Sequence, residues 1–289
     1  MKPRLVLALP QRRRTKAIKH RRAHTTVHSL YIPDCHVGFD GDDPIHDEQA
    51  MGAVWNVAKS YQPANIVILG DYLDLAGFGS YSTHSALRNK TNEALQEAYD
   101  WLVRLRSYCP ASRIVYLEGN HEARINRYLS DKAPELEGIK QVGEETGALS
   151  LRHLLRLDEL GIEYAGPYGT RLGLDGVQLI HGDLIGRTGG ETAAKLLKAH
   201  SVPTVCGHVH RLELAYKTTH LAGGGPSLTW AMSCGTLARL DGTVPGSRYP
   251  DWQQGFGILW DNGQPSIHAI YAGSTGLLEH SFEHLPSES

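Results

Sequence analysis

The chain has 289 residues, of which 41% are hydrophobic, and its formal net charge is −2. This length is enough to bury a full core in one large domain or in two small ones. The apolar runs, such as residues 66–69, are far too short to span a bilayer, so we expect no membrane partner.

The first 24 residues form a basic leader with nine lysines and arginines and no acidic residue. The rest of the chain then has 20 basic residues against 31 acidic ones, a formal charge of −11. Such a leader can be an arm that binds nucleic acid, or a solvated flexible segment that improves solubility. No aromatic side chain lies within it to stack on bases, which favours the second interpretation. We expect a single domain over residues 25–289.

Short runs rich in valine and isoleucine alternate with longer helical patterns from residue 25 onward. The runs are closed by proline or glycine, and they predict strands at residues 25–33, 64–70, 112–119, 177–182 and 202–207. Apolar residues recur at helical spacing over 92–107 and 150–160. Asp-Gly at 175–176 lies between two apolar runs and predicts a hairpin.

The helical pattern fades after residue 212. Residues 227–235, 255–260 and 266–272 predict consecutive antiparallel strands. A β-α alternation followed by a run of strands predicts one α/β domain with mixed sheets. The glycine-rich stretch 222–226 is not a phosphate-binding P-loop, because no Lys-Ser or Lys-Thr follows it.

Polar side chains cluster where the five predicted strands before residue 212 end. In chain order the strands are followed by Asp34 and His36, by Asp71 and Asp74, by Asn120, His121 and Glu122, by His181 and Asp183, and by His208 and His210. The carboxyl ends of strands in α/β sheets converge on one crevice, so we expect these residues to meet in a small volume. On an extended chain, residues two positions apart point to the same side, so the pairs at 34/36 and 208/210 would each face that volume.

Such a cluster predicts a divalent metal site. Without cations its carboxylates would repel one another and its imidazoles would lose solvation. A mixed set of carboxylate, amide and neutral imidazole ligands suits Mn²⁺, Fe, Zn²⁺, Ni²⁺ or Co²⁺, whereas an all-oxygen set would indicate Mg²⁺ or Ca²⁺. Cys35 would point away from the cluster and is predicted to be a packed thiol.

The series D-x-H, GDxxD, GNHE, H and GHxH resembles the calcineurin-like metallophosphoesterase superfamily, and the surrounding sequence looks like its bacterial and phage-type members. The resemblance implies an α/β fold in which two mixed β-sheets pack as a sandwich flanked by helices. It also implies two divalent metal ions, with Mn²⁺ as the first choice. Asp71 would bridge the two ions, the first held also by Asp34, His36 and His210 and the second by Asn120, His181 and His208.

The resemblance further implies metal-dependent hydrolysis of phosphate esters by a hydroxide that bridges the two ions. His121 would contact the phosphate and donate a proton to the leaving group. Asp74, Glu122 and Asp183 would either orient metal-binding imidazoles or act only as turn-forming and capping carboxylates. Asp74 is not followed by the Arg-Gly of the phosphoprotein phosphatase branch, which argues against a phosphoserine substrate.

The expected substrate is a phosphate ester, a diester or also a monoester, with a nucleotide or nucleic acid among the alternatives. Arg124 and His84 are the candidates for binding it, and the further arginines on nearby loops are Arg127, Arg211, Arg239 and Arg248. The alternative for each arginine is a surface ion pair.

Two competing functions remain. One is a DNA or RNA nuclease that would hold the nucleic-acid backbone with the basic leader and the arginine-bearing loops. Loss of nucleic-acid cleavage when residues 1–24 are deleted, together with a steep dependence on salt, would support it. The other is a scaffold that keeps the fold without catalysis, against which the intact series of ligand motifs argues.

The four cysteines, Cys35, Cys109, Cys206 and Cys234, show no paired spacing. Scattered cysteines in a chain of this length indicate reduced thiols instead of a disulfide scaffold. We therefore expect a cytoplasmic protein.

Overall fold

The computed structural model describes residues 26–79, 90–220, 224–241, 251–272 and 278–280. The predictions for the basic leader, His84 and Arg248 fall outside these residues. Within them, no helix combines the length and the apolar character needed to cross a membrane.

The described part of the chain is α/β. Its α-helices are α1 (Glu48–Tyr61), α2 (Thr91–Tyr108), α3 (Ala123–Lys132), α4 (Leu151–Leu154) and α5 (Glu191–Ala199). Its first strands are β1 (Val27–Ile32), β2 (Phe39–Asp40), β3 (Asp43–Pro44), β4 (Asn65–Ile68), β5 (Arg113–Leu117), β6 (Ile162–Gly166) and β7 (Leu172–Leu174). The later strands are β8 (Val177–Ile180), β9 (Thr204–Cys206), β10 (Leu212–His220), β11 (Pro226–Cys234), β12 (Gly255–Trp260), β13 (Pro265–Ala272) and β14 (Leu278–His280).

The strands form two large sheets and one small hairpin of β2 and β3. The seven-stranded sheet has the order β14-β13-β12-β1-β4-β5-β6, and the five-stranded sheet has the order β10-β11-β9-β8-β7. In the first sheet β1, β4, β5 and β6 are parallel, whereas β12 is antiparallel to β1 and to β13. In the second sheet β8, β9 and β11 are parallel, and β7 and β10 are antiparallel to their neighbours. The predicted α/β class with mixed sheets is confirmed.

Buried side chains form three main cores. Successive residues of a strand point to opposite faces, so the central strands contribute alternately to two of these cores. The first core joins one face of the seven-stranded sheet to α1 and α2 and includes Leu30, Ile66, Ile114, Trp55 and Leu102. The second contains residues of both sheets, among them Tyr31, Val67, Val115, Leu179 and Met232. The third joins α5 to the five-stranded sheet and includes Leu196, Ile180 and Cys206.

Most of the predicted elements are present. The five strands with polar ends are β1, β4, β5, β8 and β9, and α2 covers the helix predicted at 92–107. The predicted hairpin joins β7 to β8 through Asp175 and Gly176, whose φ angles of 50° and 79° are those of a type I′ turn.

Two predictions for secondary structure are wrong. The helix expected at 150–160 ends at Leu154, because the backbone turns into the left-handed region at Arg156, with φ 50°. The late strands do not form one antiparallel run: β12 and β13 pair antiparallel as predicted, but β11 lies in the other sheet, parallel to β9 and antiparallel to β10. β10 was not predicted, because most of its residues are exposed and its apolar alternation is short.

Candidate metal centre

The ends of five strands meet at one place in the structure. β1, β4 and β5 are neighbours in one sheet, and β8 and β9 are neighbours in the other. Two contacts join loops of different sheets. The backbone N–H of His208 donates to Oδ1 of Asp34 at 2.8 Å, and Nδ1 of His181 lies 2.9 Å from the carbonyl oxygen of Leu69. Polar residues from both sheets therefore surround one volume.

Four of the predicted ligands have an unexpected backbone conformation. His36, Asp71, His208 and His210 have φ angles of 52°, 47°, 71° and 56°, in the left-handed region. The chain is therefore not extended at these residues, so the prediction that an extended strand directs residues 34 and 36, or 208 and 210, to the same side is wrong. Residues other than glycine rarely adopt this conformation, and such strained positions cluster at binding and catalytic sites.

Two glycines make room for the cluster. A Cβ atom at Gly70, whose φ is 92°, would lie 2.7 Å from Nδ1 of His181. A Cβ atom at Gly207 would lie 2.6 Å from Oδ2 of Asp34. Both distances are shorter than real Cβ contacts, so a larger residue at either position would displace a predicted ligand.

The first group of candidate ligands consists of Asp34, His36, Asp71 and His210, all of which are buried. Their ligand atoms lie within 4.8 Å of one another. Nε2 of His210 is 3.0 Å from Nε2 of His36 and 3.4 Å from Oδ1 of Asp34. Two imidazole nitrogens at this distance either share a proton or face the same cation.

The second group consists of Asp71, His181 and His208, whose ligand atoms also lie within 4.8 Å of one another. Asn120 belongs with this group, because its Oδ1 is 3.0 Å from Nε2 of His181. The same nitrogen is 3.3 Å from Oδ2 of Asp71. Asp71 is thus shared by both groups.

The spacing within both groups fits divalent cations. Two ligand atoms about 2.1 Å from one ion lie about 3.0 Å apart at a right angle and about 3.4 Å apart at a tetrahedral angle. The separations described above, from 3.0 to 3.4 Å, fall in this range. The buried Nδ1 atom of His208 also has no hydrogen-bond partner within the described residues. The residues present therefore fit one cation for each group.

The charges of the cluster also suit cations. Burial acts to raise the pKa of Asp71, but His181 and His121 outweigh it and hold that pKa well below its usual range. Burial lowers the pKa of His36 to about 4, so this ring is neutral at pH 7. Burial also disfavours protonation of His181, yet Asp71 prevails and raises its pKa to about 10. A cation at the second group would compete with the proton on His181, so metal binding should release a proton.

His121 lies between carboxylates and a guanidinium. Its Nδ1 is 2.8 Å from Oδ1 of Asp74, and its Nε2 is 3.9 Å from Oδ2 of Asp71. Nη2 of Arg124 lies 2.8 Å from Nε2 of His121, and Nη1 donates to the carbonyl oxygen of Asp74 at 2.7 Å. A guanidinium only donates, so Nε2 accepts in this arrangement and the proton of the ring is assigned to Nδ1.

His121 is nevertheless favourably placed to take a second proton. Burial acts to lower its pKa, but the charges of Asp71 and Asp74 outweigh burial and raise it. The second proton requires that the guanidinium of Arg124 leave Nε2. Oδ1 of Asp74 also lies 3.4 Å from Nδ1 of His36, so Asp74 contacts the imidazoles of both His121 and His36. This matches the predicted role of Asp74 in orienting imidazoles.

Glu122 supports the backbone of the site, and its hydrogen bonds go to no imidazole within the described residues. The buried carboxylate accepts from the hydroxyl of Tyr116 and from the backbone N–H groups of Gly119, Asp71, Tyr72 and Leu73. Burial raises the pKa of Glu122, and the backbone donors and the hydroxyl oppose that shift. The structure thus favours the capping interpretation of Glu122 over a role in orienting imidazoles.

We expect Glu122→Gln to destabilise the protein by about 3 kcal/mol, because the new amide group would face donors that then lack an acceptor. Reversible urea unfolding measures this loss. Glu118→Gln is the matched control, since the buried Glu118 accepts two hydrogen bonds, from the hydroxyl of Tyr164 and the N–H of Tyr168. Equal losses in the two variants would contradict a special supporting role for Glu122.

Asp183 and two of the predicted arginines lie in other surroundings. Asp183 is exposed and makes no hydrogen bond to an imidazole within the described residues, which favours its interpretation as a turn residue. Arg211 pairs with Asp251, and Arg239 pairs with Asp241. Both arginines therefore match the surface ion-pair alternative.

A groove beside the second group was not predicted. It is lined by residues that include His181, Tyr168, Thr170, Arg171 and Asp183. The ring centroids of Tyr168 and His181 are 5.9 Å apart. Part of this groove is formed by the turn between β6 and β7. That turn carries no recognisable sequence motif, so the sequence alone does not predict the groove.

All four cysteines are buried free thiols. Cys35, between two of the candidate ligands, directs its Sγ toward the carbonyl oxygen of Pro33 at 3.3 Å. It is packed in the first core, as predicted for a thiol that does not bind the metal.

Comparison with known proteins finds neither a protein-family model nor a curated protein that matches this chain. Its function is therefore inferred from the geometry of its side chains.

Proposed function

We propose that the protein is a metal-dependent phosphoesterase of the calcineurin-like metallophosphoesterase type, with two mixed sheets packed as a sandwich flanked by helices. The observation that carries this proposal is the buried carboxylate of Asp71, which belongs to both groups of candidate ligands. The layered arrangement is supported by the cores, since the second contains residues of both sheets and the first and third contain helices.

The two groups would hold a pair of divalent cations. Asp71 would contact both, the first together with Asp34, His36 and His210, and the second together with Asn120, His181 and His208. Nitrogen and oxygen ligands in one set suit Mn²⁺, with Fe, Zn²⁺, Ni²⁺ and Co²⁺ as alternatives. When bound, such a pair of ions acidifies water and neutralises the charge that develops on a phosphoryl group.

His121 is the residue to which we assign proton transfer. Asp74 fixes the ring through Nδ1, which leaves Nε2 directed toward the shared carboxylate of Asp71. A proton on Nε2 could pass to the leaving-group oxygen of an ester held beside the two groups. Asp74 stays ionised, because His121 and His36 outweigh its burial and lower its pKa, so it can stabilise the imidazolium.

Arg124 is the predicted substrate-binding residue that the structure describes. Its guanidinium is partly buried beside His121, and its planar fork can bind two oxygens of a phosphate group. Binding a phosphate would draw the guanidinium away from Nε2 of His121, which would then be free to take a proton. Arg124 would thus couple substrate binding to proton transfer.

We expect Arg124→Ala to lower kcat/KM by about 10- to 100-fold, the equivalent of a lost charged hydrogen bond, mainly through a higher KM. Steady-state kinetics with bis-p-nitrophenyl phosphate measures both constants. Arg113→Ala is the control, since Arg113 is exposed at the start of β5 and pairs with Glu163. Arg127, exposed one turn further along α3, is no control because it is itself a candidate for substrate binding. A fall in kcat with KM unchanged would reject substrate binding and leave Arg124 as a residue that only positions His121.

The substrate class that we propose is a phosphate ester, either a diester or a monoester. The groove lined by Tyr168 and Arg171 lies next to His181 and offers a place for the organic part of such a substrate. The free thiols of the described cysteines are compatible with the cytoplasmic location that we propose from the sequence.

Metal analysis combined with an ester assay tests this function directly. The purified protein is expected to hold close to two transition-metal ions per chain and to hydrolyse bis-p-nitrophenyl phosphate. Treatment with a chelator should abolish turnover, and addition of Mn²⁺ should restore it. Hydrolysis that persists after complete metal removal would reject the proposal.

A further inference from the structure

A separate cluster of metal-binding side chains lies outside the candidate metal centre. It consists of His46, Glu48 and Glu97, whose ligand atoms lie within 4.8 Å of one another. His46 precedes α1, Glu48 is the first residue of α1, and Glu97 is on α2. None of the three has a part in the proposed hydrolysis.

His46 provides the buried member of this cluster. It is only 1% exposed, and neither nitrogen of its ring makes a hydrogen bond of normal geometry within the described residues, although the backbone of Gly38 lies close enough to act on its pKa. Nε2 lies 3.8 Å from Oε1 of Glu97, too far for a hydrogen bond. Leaving a buried polar group without a partner is costly, so the ring is a candidate to bind a ligand in the gap between it and the carboxylate. Burial lowers the pKa of His46, which keeps the ring in the neutral form that binds metals.

The charges of the two carboxylates in this cluster are not neutralised by a nearby base. Within the described part of the chain, no lysine or arginine forms an ion pair with Glu48 or Glu97, and Lys90 pairs with Asp42 and Glu93 instead. Oε1 of Glu97 accepts from the indole N–H of a tryptophan on the same helix at 2.8 Å, which fixes this carboxylate beside His46. Two negative charges are therefore held next to an unpartnered imidazole.

Asp47, the neighbour of His46, is not available as a ligand. Its Oδ1 accepts from the backbone N–H groups of Gln49 and Ala50 and so caps α1. Its Oδ2 accepts from Nε2 of Gln254 at 2.9 Å. The set is thus limited to one imidazole and two carboxylates.

We propose that His46, Glu97 and Glu48 form a further divalent-cation site, for a Zn²⁺-like ion. One nitrogen and two oxygen ligands suit such an ion. Two atoms that bind one such ion would be at most about 4.3 Å apart, whereas the ligand atoms of this cluster lie within 4.8 Å of one another. A small movement of the exposed Glu48 side chain would therefore complete the site. An ion here would join the start of α1 to α2.

The site would also support the candidate metal centre from outside. The backbone of His46 forms a bridge with Ala238, and the N–H of Asp47 donates to the carbonyl oxygen of Leu237. The N–H of Leu237 in turn donates to the carbonyl oxygen of Asp34. Fixing His46 would therefore stabilise the segment that carries Asp34, which gives the ion a structural role.

Zinc binding by the full-length protein tests this site. Metal-free wild type, Glu97→Gln and the control Glu93→Gln are dialysed against Zn²⁺, and bound zinc is counted by mass spectrometry. We expect Glu97→Gln to bind one ion fewer per chain than wild type, and its Tm to rise less on zinc addition. Glu93→Gln, a change on the same helix outside the cluster, should match wild type.

The same comparison in an Asp71→Asn background separates this site from the proposed function. Adding Glu97→Gln to Asp71→Asn should again remove one zinc ion per chain, whether or not the candidate metal centre binds cations. Glutamine keeps the size of glutamate at a partly exposed position, so the chain should fold, whereas His46→Ala would empty a buried position. Equal zinc counts and equal Tm shifts for wild type and Glu97→Gln would overturn the proposal.

Discussion

Asp71→Asn is expected to abolish hydrolysis of bis-p-nitrophenyl phosphate and to lower the metal content of the protein. Asp71 belongs to both groups of candidate ligands, so both cations would lose a charged ligand at once. The loss of several kcal/mol of electrostatic stabilisation corresponds to a fall of about a thousandfold in kcat/KM. Hydrolysis measured at saturating Mn²⁺, together with metal analysis of the same samples, gives both numbers.

The effect of this change should arise from the lost charge and the lost ligand oxygen, and not from a disturbed backbone. Oδ1 of Asp71 accepts from the backbone N–H of His121 at 2.8 Å, and an asparagine can keep that hydrogen bond with its amide oxygen. Asp158→Asn is the control, because the exposed Asp158 pairs with Arg152 on the surface. If Asp71→Asn kept two metal ions and normal turnover, the shared-carboxylate site would have to be abandoned.

The positions of the candidate ligands could be predicted because each follows a strand that the local sequence marks clearly. Valine- and isoleucine-rich runs end in glycine or proline beside Asp34, Asp71, Asn120, His181 and His208. The glycine beside four of the five motifs is short-range information, and it predicts the close approach that Gly70 and Gly207 show. The meeting of the two sheets is long-range information, and the sequence supplied it only through the resemblance to a family.

What the sequence could not predict depends on contacts between distant residues. Glu122 binds the backbone of a loop about fifty residues earlier, and no local pattern distinguishes this capping role from a contact with an imidazole. The left-handed backbone at His36 and His210 has no marker in the local sequence, since residues other than glycine adopt it only occasionally. The short helix at Leu151–Leu154 shows the same limit, because apolar spacing alone does not reveal where the backbone turns.

His121→Ala is expected to slow hydrolysis about 10²- to 10⁴-fold while the metal content stays that of wild type, because general acid catalysis contributes a factor of this size. The ring contacts Asp74 and Arg124 and lies outside the first and second groups of ligands, although with His36 and Asp74 it forms a further group whose ligand atoms lie within 4.8 Å of one another. The loss should grow as the leaving group becomes more basic, so alkyl phosphate esters should suffer more than p-nitrophenyl esters. Rates for a series of leaving groups, measured with Mn²⁺ in excess, test this dependence.

The same series distinguishes proton donation from simple positioning of substrate. If His121 only held the phosphate, its removal would slow every ester by a similar factor, whatever the leaving group. Asp74→Asn should show a weaker form of the dependence, since it removes the charge that stabilises the imidazolium at Nδ1. His220→Ala, a change at an exposed position on β10, should leave all rates unaltered. A uniform loss for His121→Ala across the series would remove its role as the acid and leave Asp71 and the cations to carry the reaction.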